Sequence, residues 1–101
     1  MTAATEPRTA SLRVLELLET LCGYAARGAT NAELAKAMGC SPHHITRDIA
    51  VLIAKGWARK DEASGRFFPT PAFSRIAFRV LADFDHLLRR IEDQRRNFTG
   101  A

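Results

Sequence analysis

The chain has few cysteines, no long apolar run and no strong charge of one sign. Its two cysteines, Cys22 and Cys40, match no metal-ligand spacing and no disulfide framework. That excludes a small secreted scaffold and points to a reduced, cytoplasmic protein. No apolar run approaches the ~20 residues a membrane-spanning helix needs. The opening stretch MTAATEPRTAS lacks an apolar core, so it does not read as a secretory signal. The chain has only three histidines and no recognisable nucleophile–base pair. Neither an enzyme nor a cofactor is expected.

What is present fits one small domain of 101 residues, with 47% hydrophobic and 26% charged residues. The net charge is +4, unevenly placed. Residues 1–29 carry three acids and three bases, whereas residues 30–70 and 71–101 each carry six bases against four acids. A basic middle and end favour a polyanionic partner.

Periodicity divides the chain. Residues 1–10 read as a disordered tail. A first helix begins near Ser11, its expected cap, and ends by Gly28; Leu12, Leu15, Leu18, Cys22 and Ala26 recur along it, with Val14, Leu17, Leu21 and Ala25 beside them. Cys22 reads as a small buried residue. In TNAELAKAMG, Thr30 and Glu33 make a capping box and Gly39 suits the left-handed stop. The next helix starts with Ser41 as cap and Pro42 at its first position. It runs to about Ala54 on a buried stripe of Ile45, Ile49, Leu52 and Ile53. Two short helices joined through a glycine turn make a helix-turn-helix. Residues 57–70 then read as a β-hairpin around Ser64-Gly65, with Pro69 at an edge or a strand end. Residues 72–97 form one long helix before a tail at 98–101. The predicted fold is mainly α with a small β-hairpin: a winged helix-turn-helix over 11–71 plus a long C-terminal helix.

The stretch GCSPHHITRDIAVLIAKG contains the one conspicuous pair, His43 and His44. Neighbours on a helix point about 100° apart, so they do not chelate one ion readily. No metal site is expected. With Ile45, Ile49 and Leu52 buried, His43, Thr46, Arg47 and Ala50 form the face directed at a major groove. Arg47 can fork onto guanine, His43 can donate to guanine or phosphate, and Thr46 can reach a base edge or a thymine methyl. Ala50 leaves room for the groove floor. Thr30, Ser41 and His44 lie near helix starts, where phosphate binds. Arg59, Lys60 and Arg66 on the hairpin can meet an adjacent phosphate or the minor groove. Against these stand plainer readings: a solvated His44 and hairpin bases that serve solubility alone. Trp57, Phe67, Phe73 and Phe84 fall on apolar faces, which favours core packing over stacking on single-stranded bases.

In the long helix, Phe73, Ala77, Val80, Phe84, Leu87 and Ile91 alternate spacings of four and three, the mark of a heptad seam. Ile76, Leu81 and Leu88 widen it. Asp85–Arg89, Arg89–Asp93 and Glu92–Arg96 are opposite charges four apart that would support it. The seam suits a two-fold homodimer, with half-sites about one DNA turn apart.

The run from Ser11 to Ala77 resembles the DNA-binding domain of the IclR family of transcription regulators, within the winged-helix group that includes MarR. The pieces that match are SLRVLELLETL and GATNAELAKAMGCSPHHITRDIAVLIAKGWARKDEASGRFFPTP. Leu52, Gly56, Trp57, Ser64, Gly65, Arg66 and Phe67 stand where the family has its "L…GY" and "…TGRY" elements. The resemblance implies a winged helix-turn-helix that binds double-stranded DNA. It departs from the family in the His-His pair, in Asp48 on the recognition helix, and in the length after the hairpin. Only about 25 helical residues follow, not an effector-binding domain, so a small-molecule effector is not expected. The reading is a stand-alone repressor or activator, of bacterial or phage type. The rival is a winged-helix protein-interaction module, such as a phage anti-host protein, that does not act mainly through DNA.

Overall fold

A computed structural model describes residues 8–100. The chain is mainly helical, with one small antiparallel hairpin and a long C-terminal helix. It divides into two compact units, Met1–Thr70 and Pro71–Ala101.

The first unit holds α1 (Ala10–Cys22), α2 (Asn31–Met38), α3 (Pro42–Lys55), β1 (Ala58–Lys60) and β2 (Phe67–Pro69). This is the order of a winged helix-turn-helix. Thr9, not Ser11, caps α1, its side chain accepting from the Leu12 amide. Of the stretch expected to be a tail, residues 1–7 lie outside the described ones, while Arg8 reaches the Met38 carbonyl and Ala10 is already helical. The helix ends at Cys22 rather than near Gly28, because the chain needs a turn to reach α2. Leu17 and Leu21 are fully buried, with Val14 and Leu18 packed beside them. Leu12 and Leu15, expected inside, are exposed. The buried side of α1 is therefore one residue out of step with the leucine repeat. Cys22 is half-buried; burial and the neighbouring Glu19 raise its thiol pKa.

The expected capping box closes the start of α2. The Thr30 hydroxyl accepts from the Glu33 amide at 3.1 Å, and Glu33 Oε1 accepts from the Thr30 amide at 2.9 Å. Gly39 ends α2 in the left-handed region. Ser41 caps α3, accepting from the His44 amide, and Pro42 sits in its first turn. The core of this unit gathers Leu17, Leu21, Leu34, Ile45, Ile49 and Leu52, closed by Ala58 and Phe67 from the hairpin. Each fully buried leucine or isoleucine contributes roughly 1.5–3 kcal/mol. That burial holds α2, which is too short to persist alone.

The stripe of α3 differs from the expectation at one edge. Ile53 is 40% exposed, and Asp48 takes its place among the buried positions at 4%. Helix α1 packs on the Asp48 side of α3, so the buried face turns toward it.

The hairpin pairs Ala58 with Pro69 and Lys60 with Phe67. Pro69 stands at the strand end, where it has no amide to offer. Ala29 adds a bridge on the far side, exchanging both backbone hydrogen bonds with Phe67 at 2.9 and 2.8 Å. This ties the segment before α2 to the wing. Gly28, just before it, has φ +76°, and a Cβ there would sit 2.6 Å from the Phe68 ring. Gly28→Ala is expected to cost about 1–3 kcal/mol through left-handed strain and the displaced ring. A thermal melt would register this as a fall of several degrees.

The second unit is α4 (Pro71–Thr99), which extends two residues into the expected tail. Its expected ion pairs four apart are replaced by an Asp93–Arg96 pair three apart. Val80, Phe84, Leu87 and Ile91 are exposed, Phe84 at 63%, so Phe84 does not take the expected core role among the described residues. Phe73 is half-buried. No described helix is long and apolar enough to cross a membrane.

Candidate nucleic-acid interface

Helical spacing sets Ile45, Asp48, Ile49 and Leu52 on the buried side of α3. The opposite side presents His43, Arg47, Ala50 and Ala54, all exposed. Arg47 makes no ion pair or hydrogen bond with any described residue. It stands at the rim of a groove lined by Val14, Leu15 and Val51. The rings of His43 and His44 are 6.3 Å apart and tilted by 60°. His44 is half-buried, and its Nδ1 is enclosed without a hydrogen-bond partner among the described residues. Among the described residues, no three His, Cys, Asp or Glu side chains gather as a metal-binding group.

Thr46 lies at the edge of this face and is held from α2. Asn31 Nδ2 donates to its hydroxyl at 3.0 Å and to the Pro42 carbonyl at 3.2 Å. The Thr46 hydroxyl donates in turn to the same carbonyl at 3.1 Å. Asn31 therefore locks the first turn of α3 onto the first turn of α2. Sequence reading missed it, because an asparagine one place after a cap carries no local signal. Its Oδ1 is buried without a partner among the described residues.

Two of the residues expected to face phosphate are engaged within the chain, Thr30 in capping α2 and Arg66 in holding the wing. The Thr30 hydroxyl is occupied by the capping box. Arg66 Nη1 donates to Glu33 Oε1 at 3.0 Å and to the Gly28 carbonyl at 3.2 Å. Arg66 thus fastens the returning strand to the start of α2. The remaining wing bases lie over aromatic rings: the Arg59 guanidinium is 4.3 Å from the centre of Phe68, and the Lys60 ammonium 5.9 Å from that of Phe67. Both residues stay exposed. At the wing tip, Asp61 accepts from the amide and hydroxyl of Ser64. Those two hydrogen bonds hold its carboxyl below its ordinary value, with Arg59 adding to the effect.

The Thr30 amide, then the Arg66 guanidinium, likewise hold the Glu33 carboxyl below its ordinary value near 4.5. A carboxyl with a lowered folded-state pKa adds stability above its unfolded pKa and loses it as pH falls through the folded value. The folded state should therefore weaken below about pH 4.5. Glu33→Gln should flatten that acid limb, and added salt should shrink the effect because the pair is exposed. Urea unfolding at a series of pH values would read this directly.

The second feature missed in sequence is the ion pair that holds α3 to α1. Arg13 Nε donates to Asp48 Oδ2 at 2.8 Å, with the two side chains 14% and 6% exposed. Asp48 therefore points inward rather than toward the outer face of α3. Searches of known family models, curated proteins and solved structures found nothing that matches this chain.

Proposed function

We propose that this chain is a sequence-specific regulator of transcription that binds double-stranded DNA as a dimer, with an IclR-like winged helix as its reading head. The outer face of α3 carries the proposal. There a free, exposed Arg47 stands one turn from His43, and Ala50 leaves space beside them. Arg47 would fork onto a guanine, His43 would donate to an adjacent base or phosphate, and Thr46, oriented by Asn31, would offer its methyl or hydroxyl. Ser41 and His44 at the start of α3 would meet phosphate. Arg59 and Lys60 on the wing would meet a neighbouring phosphate. Thr30 would contribute by capping α2 and Arg66 by holding the wing in place. The dimer would form through Phe73, Ala77, Val80, Phe84, Leu87 and Ile91 of α4. Regulation would follow from occupancy, by blocking or recruiting polymerase.

A second reading, a protein-interaction module, draws on the exposed Leu15 and Val51 beside Arg47. Selection from random duplex DNA at two salt concentrations separates the two. An enriched two-fold motif with a steep salt slope supports the regulator. Weak binding without enrichment supports the protein partner.

A further inference from the structure

Helix α4 spans 29 residues, about 43 Å at 1.5 Å per residue. Its seam continues past Ile91 through Gln94 to Phe98, which is 92% exposed. One flank of the seam carries Ile76, Asp83, Arg90 and Asn97. The other carries Ser74, Leu81, Leu88 and Arg95. Asp83 and Arg90 make no ion pair or hydrogen bond with any described residue, and Leu81 and Leu88 are exposed.

We propose that α4 pairs antiparallel with α4 of a second copy, in the register that sets Phe84 against the partner's Leu87. This rests on the dimer reading above and supplies its orientation. In that register Val80 meets the partner's Ile91, Ala77 the partner's Gln94, and Phe73 the partner's Phe98. The two-fold axis crosses the helix between residues 85 and 86, close to its midpoint, so both helices overlap almost from end to end.

Charge decides the orientation. In an antiparallel pair, each flank meets the same flank of the partner. Asp83 then faces the partner's Arg90, and symmetry repeats that attraction. Leu81 faces the partner's Leu88, also twice, which covers the apolar flank. In a parallel pair, one flank meets the other, five residues further along. Arg90 would then face the partner's Arg95 twice, and Asp83 would face an apolar Leu88. The antiparallel pair sets the two entry points at Pro71 about 43 Å apart along the helix axis. Separate half-sites need such a spread, since one DNA turn is roughly 34 Å.

The dimer dissociation constant of the full chain, measured by sedimentation equilibrium, tests this. Arg90→Asp replaces two attractions by two repulsions and should weaken the dimer about tenfold. Asp83→Arg combined with Arg90→Asp should restore it. A tighter dimer for Arg90→Asp is the parallel signature and overturns the orientation, as does no change or no restoration. A wild-type chain that stays monomeric overturns the dimer reading itself. Spin labels give a second readout on Arg96→Cys in a chain also carrying Cys22→Ala and Cys40→Ala. The antiparallel register separates the labels by about 32 Å along the axis. A short distance, with the labels side by side, overturns it.

Discussion

Arg13→Met is expected to destabilise the fold by about 3–5 kcal/mol, because it strands the buried Asp48 carboxylate. The pair lies between α1 and α3, where the chain has little water to offer a lone charge. Most small domains hold only about 5–15 kcal/mol in total, so this single change removes a large part of the margin. Arg13→Met combined with Asp48→Leu should recover most of the loss, since no buried charge then remains. Urea unfolding of the two variants measures both values. A double variant as unstable as the single one would show that the pair acts through packing shape and not through charge. The effect should reach function indirectly: α1 supports α3 through this contact, so a loosened pair would blur the outer face before the chain unfolds.

Arg47→Ala is expected to leave stability nearly unchanged and to cost about 1–3 kcal/mol of affinity for a selected DNA site. Arg47 is exposed and free, so its removal strands nothing inside the protein. A base contact also differs from a phosphate contact in what it changes. Loss of Arg47 should relax the preference at one base position. Loss of Lys60 should weaken all sequences alike and lower the salt slope by about one. Titration of the variants against the selected site and against one with that base changed separates these outcomes. Unchanged discrimination in Arg47→Ala would remove Arg47 from the reading face.

Local chemistry makes the element order legible in the sequence. Thr30 with Glu33, Ser41 before Pro42, and Gly39 and Gly56 at left-handed stops each satisfy or end a helix by contacts within a few residues. Those signals need no partner from elsewhere in the chain, so they survive reading in one dimension. The hairpin around Ser64-Gly65 is legible for the same reason. The outer face of α3 follows from spacing, because Ile45, Ile49 and Leu52 locate its opposite side.

The rest depends on contacts far apart in sequence. The leucines of α1 offer several faces of similar hydrophobicity, and only packing against α2 and α3 selects Leu17 and Leu21 over Leu12 and Leu15. The inward turn of Asp48 requires Arg13, 35 residues earlier. Arg66 reads in sequence as a wing base like Arg59, yet Glu33 and the Gly28 carbonyl claim one of its amine groups. Asn31 acquires its role only when α2 meets α3. The sequence by itself determined the order of the elements, the caps of α2 and α3, the wing and the outer face of α3, because each is set by neighbours along the chain, whereas the cap and end of α1 fell elsewhere than its pattern suggested. The tertiary structure alone decided which side of α1 is buried, which charged residues are structural and which remain free, because a charge is assigned its role by the partner it meets in space.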